Sequence, residues 1–214
     1  MGATMINILN IKTIINKERI YKRLHIAEGT EAFKNAESVF NKLSHIITDN
    51  MKITAAYMVI DSVDINFEKP DEYEKYIICL VSSEDDIGRI SDEMISAGNY
   101  LEGYLLYEFA SDVIFNTSKE MNKTIKEDSA KIGYKLPRRY APGDGIINMS
   151  LQSKLLDALK KETAINVYLN EEHVLIPERS LLYMFGLKEG MDNQENINEC
   201  VTCKNISCQY REIQ

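Results

Sequence analysis

The sequence predicts an α+β fold with a largely antiparallel sheet. Helical patterns come in runs and strand patterns come in hairpin-like groups, without the strict βαβ alternation that is typical of parallel sheets. The chain has 214 residues, of which 44% are hydrophobic and 27% are charged, so its composition is that of an ordinary globular protein. A chain of this length buries a substantial core.

The first elements are predicted to be one amphipathic helix and two strands. In EAFKNAESVFNKLSHIIT, apolar residues recur every three or four positions, which is the period of a helix with one buried face. Two β-branched and aromatic runs follow, from Ile53 to Val63 and from Tyr76 to Ser83. A polar turn region separates these runs, so we expect two strands of one sheet. Cys79 lies in the second strand, where a small buried hydrophobe is the simplest interpretation.

Two helices are predicted in the middle of the chain. SEDDIGRISDEMISAG has Ser83 and Asp86 at the spacing of a capping box and ends in glycine. A long helical pattern runs from Asn99 to about Ser129. Acidic residues flank its apolar face, and they either border a site or are simply solvated. These residues are Glu102, Glu108 and Asp112.

The second half returns to strands around one further helix. AKIGYKLPRRYAPGDG is strand-like and ends in turn residues. SLQSKLLDALKKE predicts a helix with Ser150 as N-cap and four leucines facing inward. INVYLNEEHVLIPERSLLYMFGL alternates as two or three short strands with a turn at Asn170 to Glu172. We therefore expect one α+β domain over residues 1–187, then a polar spacer and cysteine-rich tail over residues 188–214.

Composition and motifs exclude several classes of function. The net charge is -8 without a long block of Lys and Arg, so no nucleic-acid partner is expected, because phosphate binding requires a basic face. The opening residues lack the pattern of a signal peptide, and no window approaches 18 apolar residues. We expect a cytoplasmic protein that does not span a membrane. HExxH, P-loop and GxSxG motifs are missing, and the three histidines are scattered, so no self-contained catalytic residues are predicted.

The segment RRYAPGDG, from Arg138 to Gly145, is the first candidate binding site. A Pro-Gly turn exposes backbone N–H and C=O groups that bulky side chains do not cover. Arg139, just before the turn, offers a planar guanidinium that matches a carboxylate. An amino-acid-like ligand would be recognised by this combination. The alternative is an ordinary solvated surface turn.

The segment CVTCKNISCQYR is the second candidate site. Cys200, Cys203 and Cys208 form a C-x2-C-x4-C pattern that is typical of zinc or an iron–sulfur cluster. A fourth ligand is not evident nearby, and Cys79, a histidine, another chain or a substrate could supply it. The alternative is three reduced thiols without a metal. A disulfide framework is not favoured, because such cysteines are spread along a chain.

The two motifs, taken with the helix and strands between them, resemble a known family. Residues from about Asn16 to Leu187 resemble the activation domain of cobalamin-dependent methionine synthase, in its free-standing bacterial form. The resemblance rests on the order of an Arg-x-x-Pro-Gly loop, a helix, a strand pair and a cysteine-rich tail. The positions in register with the family pattern are Arg139, Pro142, Gly143, Gly145, Gln152, Pro177, Ser180 and Gly186.

The resemblance implies a curved antiparallel sheet with flanking helices and S-adenosylmethionine bound in an extended pose along the loop. Arg139 would hold the methionine carboxylate, and Ala141 and Gly143, on either side of Pro142, would offer backbone contacts. Asp144 stands where the family usually has tyrosine, so a carboxylate replaces an aromatic ring beside the ligand.

The resemblance also implies that the chemistry belongs to cobalamin on a partner. A corrinoid-carrying methyltransferase would be restored to methylcobalamin by an electron from a flavodoxin- or ferredoxin-like donor and a methyl group from S-adenosylmethionine. The chain shows no corrinoid, folate or homocysteine module, so the partner is expected to be another polypeptide. The alternative is a metal-binding or electron-transfer accessory that kept the fold without using the methyl donor, which Asp144 and the cysteine tail would favour.

Overall fold

The computed structural model describes residues 6–62, 73–84, 86–143 and 147–190. Within these ranges five helices and eight strands are found. The helices are α1 (Lys17–Arg23), α2 (Glu31–Asn50), α3 (Ile87–Ser96), α4 (Tyr100–Lys131) and α5 (Leu151–Glu162). The strands are β1 (Ile6–Leu9), β2 (Lys52–Asp61), β3 (Lys75–Glu84), β4 (Tyr134–Lys135), β5 (Arg139–Tyr140), β6 (Tyr168–Leu169), β7 (Leu175–Ile176) and β8 (Ser180–Glu189).

Six strands of the described chain form one antiparallel sheet in the order β1-β2-β3-β8-β4, and β5 also pairs with β8. The strands β6 and β7 form a separate hairpin. This arrangement confirms the predicted α+β class with an antiparallel sheet and flanking helices. Between Tyr76 and Ser83 every residue of β3 is buried, because β3 lies at the centre of the sheet and both of its faces are covered.

Each face of the sheet packs against its own set of helices. On one face, alternate residues such as Tyr57, Cys79 and Tyr183 belong to a core shared with α2 and α4. On the other face, residues such as Ile78 and Met184 pack against α5. The alternation follows from the period of two in a strand, which sends successive side chains to opposite faces. The four inward leucines of α5 are buried as predicted, namely Leu151, Leu155, Leu156 and Leu159.

The helix starts agree with the sequence only in part. Ser83 does not cap α3, because it lies in β3 and its side chain is buried within the sheet. The N-cap of α3 is Asp86, whose side chain makes no capping hydrogen bond. Ser150 is the N-cap of α5 as predicted, again without a capping hydrogen bond from its side chain. A capping bond is found at α2, where the Thr30 side chain accepts from the backbone N–H of Phe33.

The structure also corrects two strand predictions. The opening segment, for which no strand was predicted, contributes β1, which pairs with the edge of β2. Its apolar pattern is short and interrupted by asparagines, so pairing with β2 decides its conformation. The last predicted strand is not short, since β8 runs for 10 residues. Among the described residues no helix has both the length and the apolar character needed to cross a membrane.

Candidate functional site

Arg139 lies on β5, the short strand that pairs with the outer edge of β8. Its Cα partner is Phe185, and that of Tyr140 is Met184. In an antiparallel pair a long side chain reaches the diagonal neighbour on the same face, two residues from its direct partner. The guanidinium of Arg139 accordingly lies over the ring of Tyr183, with Cζ 3.9 Å from the ring centroid. This cation–π contact places a planar cation beside the predicted turn.

The tyrosine under Arg139 is held by helix α4. Tyr183 is fully buried, and its hydroxyl donates to Oδ1 of Asn122 on α4 at 2.7 Å. A buried phenol requires such a partner, because an unsatisfied hydroxyl is costly away from water. The position of the Arg139 guanidinium is therefore tied through Tyr183 to the core of the protein.

A second tyrosine anchors α4 to the same face of the sheet. Tyr57, Cys79 and Tyr183 lie in register across β2, β3 and β8. The hydroxyl of Tyr57 donates to Oδ2 of Asp128 at 3.0 Å. Burial, and then this hydrogen bond to a carboxylate, raise the pKa of Tyr57 to about 12. The pKa of Asp128 is lowered by its hydrogen bond to Lys131 first and by that to Tyr57 second.

The turn after β5 begins at Ala141 and is described as far as Gly143. Gly143 has a φ of 81°, a backbone conformation that favours glycine. Its N–H donates to the carbonyl of Ile147 at 2.9 Å, which closes the loop. A Cβ at Gly143 would lie 2.7 Å from Cε of Met149. Ala141 packs against the core on the α4 side. Asp144 and Gly145 lie outside the described residues.

The neighbouring Arg138 is placed differently from Arg139. Arg138 is exposed and its Cζ lies 5.3 Å from the centroid of the Tyr140 ring. Successive strand residues point to opposite faces, so the two arginines diverge. Arg139 on the α4 face is thus the better candidate for a fixed ligand contact, and Arg138 offers a natural control.

Other positions predicted from the resemblance have local structural roles. Gln152 is buried, and its amide donates to the carbonyl of His173 at 2.6 Å, which joins α5 to the β6–β7 turn. The hydroxyl of Ser180 donates to the carbonyl of Pro177 at 2.6 Å and lies 2.7 Å from the hydroxyl of Ser82. A Cβ at Gly186 would clash with the ring of Tyr73.

The acidic residues on the long helix form ion pairs instead of a solvated border. The Oδ1 of Asp112, which is fully buried, accepts from Nε and Nη2 of Arg19 at 2.8 and 2.6 Å. Glu108 pairs with Arg23, and both side chains are 8% exposed. Glu102, on the first turn, pairs with Lys42 of α2 at 2.7 Å. The solvated alternative is therefore wrong for Glu108 and Asp112, because α1 folds over them.

The predicted metal ligands Cys200, Cys203 and Cys208 lie outside the described residues. Within residues 6–62, 73–84, 86–143 and 147–190, no cluster of three His, Cys, Asp or Glu side chains is placed to hold a metal ion. Cys79 is buried in the sheet, as its sequence context predicts. A shallow depression beside α3 is lined by Asp92, Glu93 and Glu178 among others, and it contains none of the predicted site residues.

Sequence analysis did not identify Tyr183 or Asn122 as site residues. Alternation in the last strand places Tyr183 on a buried face, which is the ordinary environment of an aromatic residue. Nothing local to the sequence indicates that Arg139, which belongs to a different strand, lies over its ring. Strand pairing across the edge of the sheet creates this contact.

Comparison with known proteins supports the fold alone. No family model matches the chain, and no curated protein matches it. A solved structure described as the MetH reactivation domain bound to AdoHcy superposes with a TM-score of 0.61. The chain has the fold of that domain. The two share 9% sequence identity, and the match covers 91% of this chain and 81% of the other. At 9% identity the comparison shows a shared fold alone. AdoHcy is the ligand of the other protein.

Proposed function

We propose that this chain binds S-adenosylmethionine and supplies its methyl group to a cobalamin held by a separate methyltransferase. The observation that carries the proposal is the Arg139 guanidinium, fixed over Tyr183 beside the Ala141–Gly143 turn. The fold supports it, since the similar reactivation domain was solved with AdoHcy, the demethylated form of the same ligand.

The proposed contacts follow from the chemistry of the two ends of a zwitterionic amino acid. The guanidinium of Arg139 presents a donor fork that matches the methionine carboxylate. Backbone groups of Ala141 and Gly143 would meet the ligand where the turn keeps side chains out of the way. Pro142 has a φ fixed by its ring, and Asp144 is the proposed partner of the cationic amino or sulfonium group of the ligand.

The protein would contribute binding and orientation. Arg139 and the Ala141–Gly143 turn would hold the methyl donor, and the partner's cobalamin, with one electron from a flavodoxin- or ferredoxin-like donor, would supply the nucleophile that accepts the methyl group, so that S-adenosylhomocysteine would remain on this chain. Such a transfer needs no acid–base pair or nucleophile from this chain, because the reduced cobalt would be the nucleophile. The corrinoid-carrying partner and the electron donor are parts of the proposal.

Calorimetric titration of S-adenosylmethionine and S-adenosylhomocysteine into the full chain tests the ligand half. We expect saturable binding, a loss of at least about tenfold in affinity for Arg139→Ala, and an unchanged affinity for Arg138→Ala. Equal affinities of the wild type and Arg139→Ala would overturn the carboxylate contact. No binding of either compound to the wild type would overturn the ligand assignment.

The partner half is tested by anaerobic spectroscopy. The full chain is mixed with a corrinoid-carrying methyltransferase in the cob(II)alamin state, a chemical reductant and S-adenosylmethionine. We expect the absorption spectrum of methylcobalamin to form with the wild type and to form more slowly with Arg139→Ala. Identical rates with and without the chain would contradict the proposal.

A further inference from the structure

Three tyrosines lie along one exposed side of the first half of α4. Tyr100, Tyr104 and Tyr107 are separated by four and three residues, so they lie on one side of the helix, and they are 69%, 50% and 45% exposed. Tyr107 is the one against which a guanidinium is stacked in the described structure, with Cζ of Arg179 4.8 Å from its ring centroid. The ring is held by this contact and still offers nearly half of its surface to solvent.

The Tyr107–Arg179 and Arg139–Tyr183 pairs lie along the same strand, because Arg179 directly precedes β8 and Tyr183 belongs to it. The carbonyl of Arg179 accepts from the N–H of Ser83, which extends the β3–β8 ladder by one residue beyond Ser180. Residues 179, 181 and 183 therefore share one face, and Arg179 and Tyr183 are about 13 Å apart along the strand. Leu181, half-buried, lies between them.

Each end of this line pairs an arginine with a tyrosine, but the two ends offer different chemistry. At the Arg139 end the tyrosine is fully buried and the guanidinium lies over it, so the cation is the group presented to a ligand. At the Arg179 end the tyrosine is the exposed member, so an aromatic face is presented. A ligand with a carboxylate at its amino-acid end and a flat aromatic ring at its other end matches this order.

We propose that Tyr107, backed by Arg179, is the stacking platform for the adenine ring of the ligand whose carboxylate Arg139 holds. The inference rests on the proposed function and deepens it by assigning the nucleoside half of the ligand to a stated surface. Stacking of a base on an aromatic side chain tolerates many bases, because every base has a π-face. The platform alone does not select adenine, and the assignment of a purine nucleoside with an amino-acid side arm follows from the proposed function.

The experiment separates the two halves of the ligand. 5′-Methylthioadenosine carries the adenosine and the sulfur but lacks the amino-acid end, so it tests the platform without Arg139. Its binding to the full chain is measured by calorimetry and by saturation-transfer NMR of the adenine protons. We expect Tyr107→Ala to lose about tenfold in affinity and Tyr107→Phe to retain it. Tyr104, which is exposed and lies one turn earlier on α4, provides the matched control. The Tyr104→Ala variant should bind 5′-methylthioadenosine as the wild type does.

Arg139→Ala distinguishes failure of this inference from failure of the proposed function. We expect this variant to bind S-adenosylhomocysteine more weakly than the wild type does and to bind 5′-methylthioadenosine with unchanged affinity. If Tyr107→Ala binds both compounds as tightly as the wild type does, the platform is wrong, and the Arg139 contact stands when Arg139→Ala still weakens the binding of S-adenosylhomocysteine. If 5′-methylthioadenosine alone binds, and Tyr107→Ala abolishes it, the platform stands without the proposed function. A wild type that binds neither compound overturns both. Circular dichroism confirms that each variant is folded.

Discussion

The guanidinium of Arg139 lies over the ring of Tyr183, and the hydroxyl of Tyr183 is held by Asn122 of the long helix. The candidate ligand contact is thus connected to the core through one aromatic ring. Fixing a charged group before the ligand arrives reduces the entropy that binding must overcome. Pre-positioning of Arg139 is therefore a property of the fold and not of the loop alone.

Substitutions at Tyr183 separate the ring from its hydroxyl. Tyr183→Phe keeps the surface under Arg139 and removes the hydrogen bond to Asn122, so we expect a loss of about 1 kcal/mol in stability with the affinity for S-adenosylhomocysteine retained. Tyr183→Leu removes the cation–π contact, and we expect it to weaken binding severalfold. Urea unfolding and calorimetry measure the two effects. Equal affinities of the Phe and Leu variants would contradict a role for the ring.

Gly143 offers a test of the turn. Alanine at this position would adopt an unfavourable positive φ, and its Cβ would also meet Met149 at 2.7 Å. Gly29 has a similar φ of 82°, and a Cβ added there would have nothing within 4 Å, so Gly29→Ala carries the backbone cost alone. We expect a loss of about 1–2 kcal/mol in urea unfolding for both variants, because the end of the exposed Met149 side chain can move away from the added Cβ. Gly143→Ala should also weaken ligand binding, and Gly29→Ala should not.

The buried ion pairs between α1 and α4 predict a strong effect of Asp112. Asp112→Ala leaves Arg19 and Arg23 without the carboxylate they share, so we expect a loss of about 3–5 kcal/mol in the free energy of unfolding. The exposed pair of Arg89 and Glu93 is the control, and Glu93→Ala should leave the free energy of unfolding nearly unchanged, because water screens this pair. Similar losses for the two variants would show that burial of the network does not matter.

The raised pKa of Tyr57 predicts a dependence of stability on alkaline pH. The folded-state pKa of about 12 lies above the ordinary value of 10.0, so protonated Tyr57 stabilises the fold fully below pH 10. This contribution is lost as the pH rises through 12. We expect Tyr57→Phe to be less stable than the wild type at pH 8 and the difference to shrink between pH 10 and pH 12. A difference that stays constant over this range would contradict the assignment.

The cysteine tail predicts a bound metal. Protein purified without oxygen is expected to contain about one zinc ion, or the iron and sulfide of one cluster, per chain. The Cys200→Ser, Cys203→Ser and Cys208→Ser variants should lose it, and Cys79→Ser should keep it, since Cys79 is buried in the sheet. Elemental analysis by mass spectrometry decides the result. An empty wild-type tail would leave three thiols without a metal role.

The periodicity of apolar residues was sufficient to predict much of the secondary structure. The helical spacing in residues 31–50 and the leucine pattern of α5 each encode one buried face, and the structure has both. The β-branched runs likewise predicted two strands of one sheet, and the structure has them as β2 and β3. The prediction that Ser83 caps α3 was wrong, because the local spacing of residues does not show that β3 continues through Ser83. The same limitation explains why β1 was missed.

Residues that are adjacent in the chain were enough to establish the fold class and to single out Arg139 and its Pro-Gly turn. Three features emerged from the folded chain alone: the ring that lies under Arg139, the burial of Asp112 and Glu108 by α1, and the contact between Tyr107 and Arg179. These contacts join positions far apart in the sequence, so no local pattern encodes them. Strand register and helix packing, which act between distant segments, bring such residues together.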